Sequence, residues 1–161
     1  MSRVYIETSI VSYLRQRPSG QLVTATRQLL TRRWWDGHRA DFELVTSQYV
    51  LDEAAKGDPT LAAERLNALD GITLLDLPED VPKLASEILA RMILPPQALI
   101  DALHISAATF HGVDYLLTWN CKHIANARVL SRIRELLIEL DLPEPVICTP
   151  EEMIGDDDYE F

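Results

Sequence analysis

A chain of 161 residues, 47% hydrophobic and 25% charged, is sized and composed for one globular domain with a full core and is short for two. Its net charge of −10 excludes broad nonspecific nucleic-acid binding, because a basic surface supplies most of that affinity. No apolar run approaches the roughly 20 residues of a membrane span, and the N-terminus enters a strand pattern with no charged-then-apolar leader, so a cytoplasmic protein with no membrane partner is expected. Cys121 and Cys148 have no metal-type spacing and read as free thiols of a reducing compartment.

Strand and helix signals alternate along the chain. Val4, Tyr5 and Ile6 read as a buried strand, and TSIVSYLR begins a helix at a Thr8/Ser9 cap. Pro18-Ser19-Gly20 breaks the chain before a second helix from Leu22 to about Gly37. Phe42 to Ser47 is a strand running into another cap, and helical spacing then continues to Gly57-Asp58-Pro59. A helix over Thr60–Leu69 ends at Gly71, and Ile72–Leu77 is the third strand. Helices over Glu79–Met92 and Ala98–Phe110 flank the Pro95-Pro96 break. Tyr115–Trp119 is a fourth, fully buried strand, followed by a helix over Arg128–Leu140. Pro145–Cys148 is a last short strand, and TPEEM caps a terminal turn.

Apolar strands alternating with helices predict a three-layer α/β/α sandwich with a central, mostly parallel sheet. The chain divides into one domain over 1–153 and an acidic tail over 154–161, which is expected to be flexible. Six acids and no Lys or Arg fall between Glu151 and Phe161, leaving a net charge of −4 for the rest. The tail is thus no obstacle to a polyanionic ligand elsewhere; folded back, it would compete for the pocket.

In open sheets of this class, ligands sit beyond the C-terminal strand ends. Glu7 follows strand one there, and Asn120 follows strand four. Glu53 lies in the helix after strand two, and Asp101 in the first or second turn of the helix after Pro96. Singly, each has a structural explanation: helix N-termini favour carboxylates, and Asn is a common turn residue. Together, three carboxylates and an amide with no counter-charge nearby in sequence repel unless a cation joins them, and oxygen ligands suit Mg2+ or Mn2+.

Four segments, YIETSIVSYL, TSQYVLDEAAKGD, LIDALHISAA and DYLLTWNCKHIAN, occur in an order and spacing that resemble PIN-domain proteins, similar to the VapC-type toxins of toxin–antitoxin pairs. The resemblance runs from Arg3 to about Met153. It implies a PIN-like fold, an acidic quartet around Mg2+ or Mn2+, and hydrolysis of RNA phosphodiesters to 5′-phosphate and 3′-hydroxyl products. The quartet maps onto Glu7, Glu53, Asp101 and Asn120, with Thr118 matching a small hydroxyl residue two places before the fourth. The first position is usually Asp and the fourth often Asp, so Glu7 and Asn120 depart from the commonest pattern and the site carries about −3. That departure bears on a second metal before the first. Glu7 or Asp101 would accept the proton of a metal-bound water.

Several residues invite a role. Thr8 and Ser9 cap the first helix, or orient a bound water beside Glu7. Lys122 and His123 follow Asn120 and would meet an RNA phosphate, or else are plain surface residues. His104 shares a helix face with Asp101 and reads more simply as a structural histidine than as a ligand. Arg32, Arg33 and Arg39 surround Trp34 and Trp35, where core or dimer packing is the simpler reading than RNA stacking. The expected protein is a metal-dependent endoribonuclease acting as a toxin, with RNA as substrate, an antitoxin protein as partner and a homodimeric state. The alternative is a PIN-fold binding module with weak or no nuclease activity, because the quartet is altered. A phosphatase on a related sheet would need a nucleophilic Asp after strand one, which ETS does not supply.

Overall fold

Three consecutive residues, Val4, Tyr5 and Ile6, are wholly buried, which in a strand requires cover on both faces. In the computed structural model, which describes residues 1–159, they belong to β1 (Arg3–Ile6) at the centre of a five-stranded sheet. The other strands are β2 (Glu43–Thr46), β3 (Thr73–Leu74), β4 (Tyr115–Leu117) and β5 (Val146–Cys148). Their order is β3-β2-β1-β4-β5, and every neighbouring pair is parallel. Strand order reverses at β1: the chain builds outward through β2 and β3 on one side and through β4 and β5 on the other. The crevice between the C-terminal ends of β1 and β4 is therefore the topological switch point, where such sheets place ligands.

Among the described residues, seven α-helices connect and flank the strands: α1 (Thr8–Arg15), α2 (Leu22–Gly37), α3 (Gln48–Ala54), α4 (Pro59–Leu69), α5 (Asp80–Ala90), α6 (Leu99–Phe110) and α7 (Ala127–Glu139). Short 3-10 turns add Arg39–Asp41, Pro96–Ala98, Pro150–Met153 and Asp156–Tyr159. From Ala102 to Thr109 every residue of α6 is buried, so this helix is enclosed on all sides rather than amphipathic. Of the polar groups it buries, the His104 ring and the Ser106 hydroxyl find partners inside the protein, whereas the Thr109 hydroxyl has none among the described residues. Trp34 and Trp35 are core residues, and the Arg39 guanidinium lies 4.2 Å from the Trp35 ring centroid. The Pro18-Ser19-Gly20 break is anchored by buried Gln28, which accepts from the Ser19 N–H and donates to the Arg17 carbonyl.

The fourth strand ends at Leu117 rather than Trp119, and two further boundaries shift for plain physical reasons. The third strand is two residues instead of six: it is the sheet edge, both residues are exposed, and Pro78 lies shortly beyond. Helix α5 stops at Ala90 because Met92 takes a left-handed φ of 57°, and the Ile93 N–H closes back onto the Ile88 carbonyl. Cys148 is buried, which pushes its thiol up to about 12, and Cys121 is partly exposed; both are free.

No described helix is long and apolar enough to cross a membrane. Of the acidic tail, Asp156–Tyr159 is a helical turn placed against the C-terminal end of α2. His38 Nε2 lies 2.7 Å from Asp158 Oδ2, and Arg33 donates to the Asp158 carbonyl. His38 precedes the start of β2, so this contact sits at the sheet edge opposite Glu7. Glu160 and Phe161, also part of that tail, lie outside the described residues.

Candidate metal centre

Glu7 follows the last residue of β1, and the β1–β4 register sets Ile6 beside Leu117, which brings Glu7 level with Thr118. The Glu7 N–H continues the ladder onto the Leu117 carbonyl at 3.2 Å. Its carboxylate then turns in over the start of α1. Sequence reasoning gave that cap to Thr8 or Ser9; the cap is Glu7 itself, whose Oε2 accepts the Ser9 N–H at 3.1 Å. A cap carboxylate is favoured there by the free N–H groups and the positive helix end.

The other Glu7 oxygen is held by hydroxyls. Ser9 Oγ and Thr118 Oγ1 both donate to Glu7 Oε1 at 2.5 Å. Ser9 Oγ also accepts the Trp119 N–H at 2.7 Å, and Thr118 Oγ1 accepts the Asn120 N–H at 2.9 Å. Each hydroxyl thus turns a backbone donor of the segment after β4 into a donor for Glu7. At 4% exposure, the carboxylate is nearly sealed from solvent, with a free acceptor direction left on Oε2.

Glu53 reaches the same place from α3. It lies in the last turn of that seven-residue helix, the end at which the dipole disfavours a carboxylate, so side chains must hold it. Thr8 donates to Glu53 Oε1 at 2.7 Å, and His104 Nε2 lies 2.5 Å from the same oxygen. Burial pushes the Glu53 carboxyl up, but the hydrogen bond and charge of His104, with the Thr8 hydroxyl, outweigh it and hold Glu53 below the usual carboxylate range. No described residue hydrogen-bonds Glu53 Oε2. Ser47 stands at the cap position of α3 as expected, yet its hydroxyl does not cap; it bonds Tyr5 OH at 2.7 Å.

Asp101 sits in the first turn of α6, where the helix dipole favours it. Its Oδ1 accepts from Asn120 Nδ2 at 3.0 Å, and its Oδ2 meets His123 Nδ1 at 3.0 Å. The Asn120 carbonyl in turn accepts the His123 N–H at 2.9 Å. His123 therefore faces Asp101, while Lys122 beside it is exposed.

The structure thus brings the predicted residues to one sheet edge in two groups joined through Thr118. One potential ligand atom from each of Glu7, Glu53 and His104 lies within 4.8 Å of the others. Asp101 is not among them, its carboxylate being turned toward Asn120 and His123. Sequence reasoning sees no counter-charge nearby, but distant histidines come to two of the carboxylates: His104 to Glu53 and His123 to Asp101. His104 is the residue sequence reasoning set aside. Its ring bonds Tyr5 and pairs across to Glu53 of α3, not with Asp101. A histidine in a helix with no polar face was the available signal, because such a ring has to be satisfied inside.

As a cation site the donor set is apt. Two carboxylates of separate elements converge, each keeps acceptor capacity, and oxygen donors suit a hard divalent ion.

Searched against family models, the chain matches none, and no curated protein sequence matches it. Its structure is similar to the crystal structure of Mycobacterium tuberculosis VapC20, described as a Sarcin-Ricin loop cleaving toxin. The TM-score is 0.57 at 17% identity, over 74% of this chain and 92% of that one. The fold is PIN-like. At that identity the likeness concerns architecture, and in this PIN-like sheet the switch-point crevice is where Glu7, Glu53, Asp101 and Asn120 gather.

Proposed function

We propose that the chain is a Mg2+- or Mn2+-dependent endoribonuclease of the PIN type, the toxin of a toxin–antitoxin pair, with RNA as substrate and an antitoxin protein as partner. The single observation that carries this reading is the convergence of the Glu7 and Glu53 carboxylates at the switch point, with Asp101–Asn120 beside them. The likeness in fold to a protein described as a Sarcin-Ricin loop cleaving toxin supports the reading as a toxin. A homodimer in the cytoplasm is part of the same proposal.

Glu7, Glu53, Asp101 and the carbonyl of Asn120 would hold the cation. When bound, it supplies an acidified water and neutralises charge on the phosphate. The chain's own residues do the rest. Ser9 and Thr118 fix the Glu7 carboxylate so that only Oε2 has an open direction. Glu7 or Asp101 would accept the proton of the attacking water, Asp101 standing at a helix start beside His123. Lys122, exposed next to the site, would meet an RNA phosphate.

One observation favours the alternative of a binding module with little activity: both Asp101 oxygens are already engaged, one by an amide where the resembled family often has a fourth acid. One experiment separates the two. Purified protein is titrated with Mn2+ by calorimetry and incubated with structured and unstructured RNA, alongside Glu7→Gln and Asp101→Asn. Metal binding with cleavage lost in both variants is expected. No binding at millimolar Mn2+ would leave the binding-module reading, and cleavage unaltered in both variants would assign it to a contaminant.

A further inference from the structure

The metal-site reading leaves a buried line of polar side chains unused: Ser47, Tyr5 and His104, ending on Glu53. Ser47 Oγ bonds Tyr5 OH at 2.7 Å, Tyr5 OH bonds His104 Nδ1 at 2.9 Å, and His104 Nε2 bonds Glu53 Oε1 at 2.5 Å. Tyr5, Ser47 and His104 are all 0% exposed. The imidazole is also gripped edge-on by two rings, with centroids 5.8 Å away at Tyr5 and 6.4 Å away at Tyr49.

Each member departs from the simplest use of its residue type. A serine at a helix cap position normally bonds the helix, and Ser47 bonds Tyr5 instead. Tyr5 occupies the most buried strand, where phenylalanine would pack without needing a partner. His104 sits in a helix enclosed by apolar neighbours. Burying three polar groups costs free energy unless every one is satisfied, and here the satisfaction is continuous and ends at a carboxylate.

His104 need not be a ligand, although its position admits one. Both ring nitrogens are already directed, Nδ1 at Tyr5 and Nε2 at Glu53 Oε1. To bind a cation it would have to abandon Glu53. Engaging Oε1 leaves Glu53 Oε2 as the open oxygen, in the same way that Ser9 and Thr118 leave Oε2 of Glu7. Resting on the metal-dependent reading above, we propose that His104 is a positioning residue. Oriented by Tyr5 and Ser47, it fixes the Glu53 carboxylate at the C-terminal end of α3 so that one oxygen faces the cation. Groups that orient ligands in this way typically change metal affinity by about 10–100-fold when removed.

The test uses the full chain and Mn2+. Calorimetric Mn2+ affinity is measured for wild type, His104→Ala, His104→Gln, Tyr5→Phe, Ser47→Ala and Glu53→Ala, with the melting temperature of each metal-free protein as a folding control. The expected result is affinity weakened about tenfold or more in His104→Ala and in Tyr5→Phe, with part of it recovered in His104→Gln, whose amide can still donate to Glu53. In the metal-free protein, a slowly exchanging imidazole Nε2–H resonance is expected that Tyr5→Phe shifts and His104→Gln removes. Should His104→Ala fail to fold, Tyr5→Phe and His104→Gln carry the test. Lower melting temperatures with unchanged Mn2+ affinity in Tyr5→Phe and His104→Gln would reduce the line to a core hydrogen-bond network and overturn the proposal. A directly bound nitrogen in the electron spin echo spectrum of the Mn2+ protein, lost in His104→Gln, would overturn it in favour of a ligand. Unchanged affinity in Glu53→Ala would instead sink the metal-site reading itself.

Discussion

The side-chain amide of Asn120 donates to Asp101 Oδ1 at 3.0 Å, while its carbonyl takes the His123 N–H at 2.9 Å. Asn120 therefore does what an aspartate there could not: it gives a proton to a neighbouring carboxylate and accepts one from the backbone. Without a cation, this gives the Asp101 carboxylate a hydrogen-bond donor where an aspartate would set a second charge beside it. An amide at this position thus binds the Asp101 carboxylate where an acid would repel it.

Asn120→Asp should invert that balance. The metal-free protein loses a hydrogen bond to a charged group and gains a like charge beside Asp101, a loss of about 1.5–3 kcal/mol. One added negative charge should tighten Mn2+ binding about tenfold, equivalent to about 1.4 kcal/mol. Denaturation with and without Mn2+ reads both: the variant should be less stable than wild type when metal-free and should gain more on adding metal. A variant no less stable without metal would show that the Asn120–Asp101 bond contributes nothing.

Thr118 is wholly buried and connects the two halves of the site, giving its proton to Glu7 and taking one from the Asn120 N–H. Thr118→Val keeps the shape and removes both bonds. A loss of about 1–3 kcal/mol is expected from the unpartnered N–H, and Thr118→Ser should restore most of it. Urea midpoints of the three proteins decide this. A Val variant as stable as wild type would mean that the N–H finds another acceptor.

How much of this could be read beforehand depended on whether a feature is local. VYI and YLLTW announce central strands because burial on both faces leaves an unbroken apolar run, and the switch point follows from strand order. Thr73–Leu74 was overextended because an exposed edge strand has no such signature. Asp101 was placeable from its first-turn position. The roles of Ser47 and Glu7 were not, since which residue caps a helix depends on where its hydroxyl or carboxylate finds another partner. Ser47 is drawn off by Tyr5, and Glu7 takes the cap of α1. The His104–Glu53 and His123–Asp101 pairs join residues 51 and 22 positions apart, and only the packing of α6 against its neighbours brings them together.

The acidic tail supplies a prediction about pH. Asp158 accepts the Gly155 N–H and meets His38, and these hold its carboxyl below the ordinary value of about 3.9. A lowered folded-state pKa gives stability that is fully present above the unfolded value and is lost as pH falls through the folded one. Asp158→Asn should therefore be less stable than wild type by a constant, small amount above about pH 5, and the difference should vanish in more acidic solution. Because the contact lies at the sheet edge opposite Glu7, truncation after Gly155 should leave Mn2+ affinity unaltered. A truncated chain that binds Mn2+ more tightly would bring the tail back as a competitor for the pocket.

Glu7→Asp tests why this chain carries the longer acid where the resembled family usually has Asp. Aspartate is a good helix cap, so the bond to the Ser9 N–H should survive and metal-free stability should change by less than about 1 kcal/mol from that source. The shorter side chain, however, withdraws from Thr118, whose hydroxyl reaches Glu7 Oε1 from across the β1–β4 seam. Losing that anchor frees the carboxylate to rotate, and Mn2+ affinity should fall although the charge is unchanged. Glu7→Ala removes cap and charge together, and there cleavage should drop at least about 100-fold if each metal-oriented group contributes at the scale of a few kcal/mol. The informative comparison is between the two variants. If Glu7→Asp binds Mn2+ as well as wild type, then the carboxylate's charge alone matters and the hydroxyl clamp of Ser9 and Thr118 serves only the fold. If it falls most of the way to Glu7→Ala, the extra methylene is what lets one side chain cap α1 and stay fixed to β4 at once.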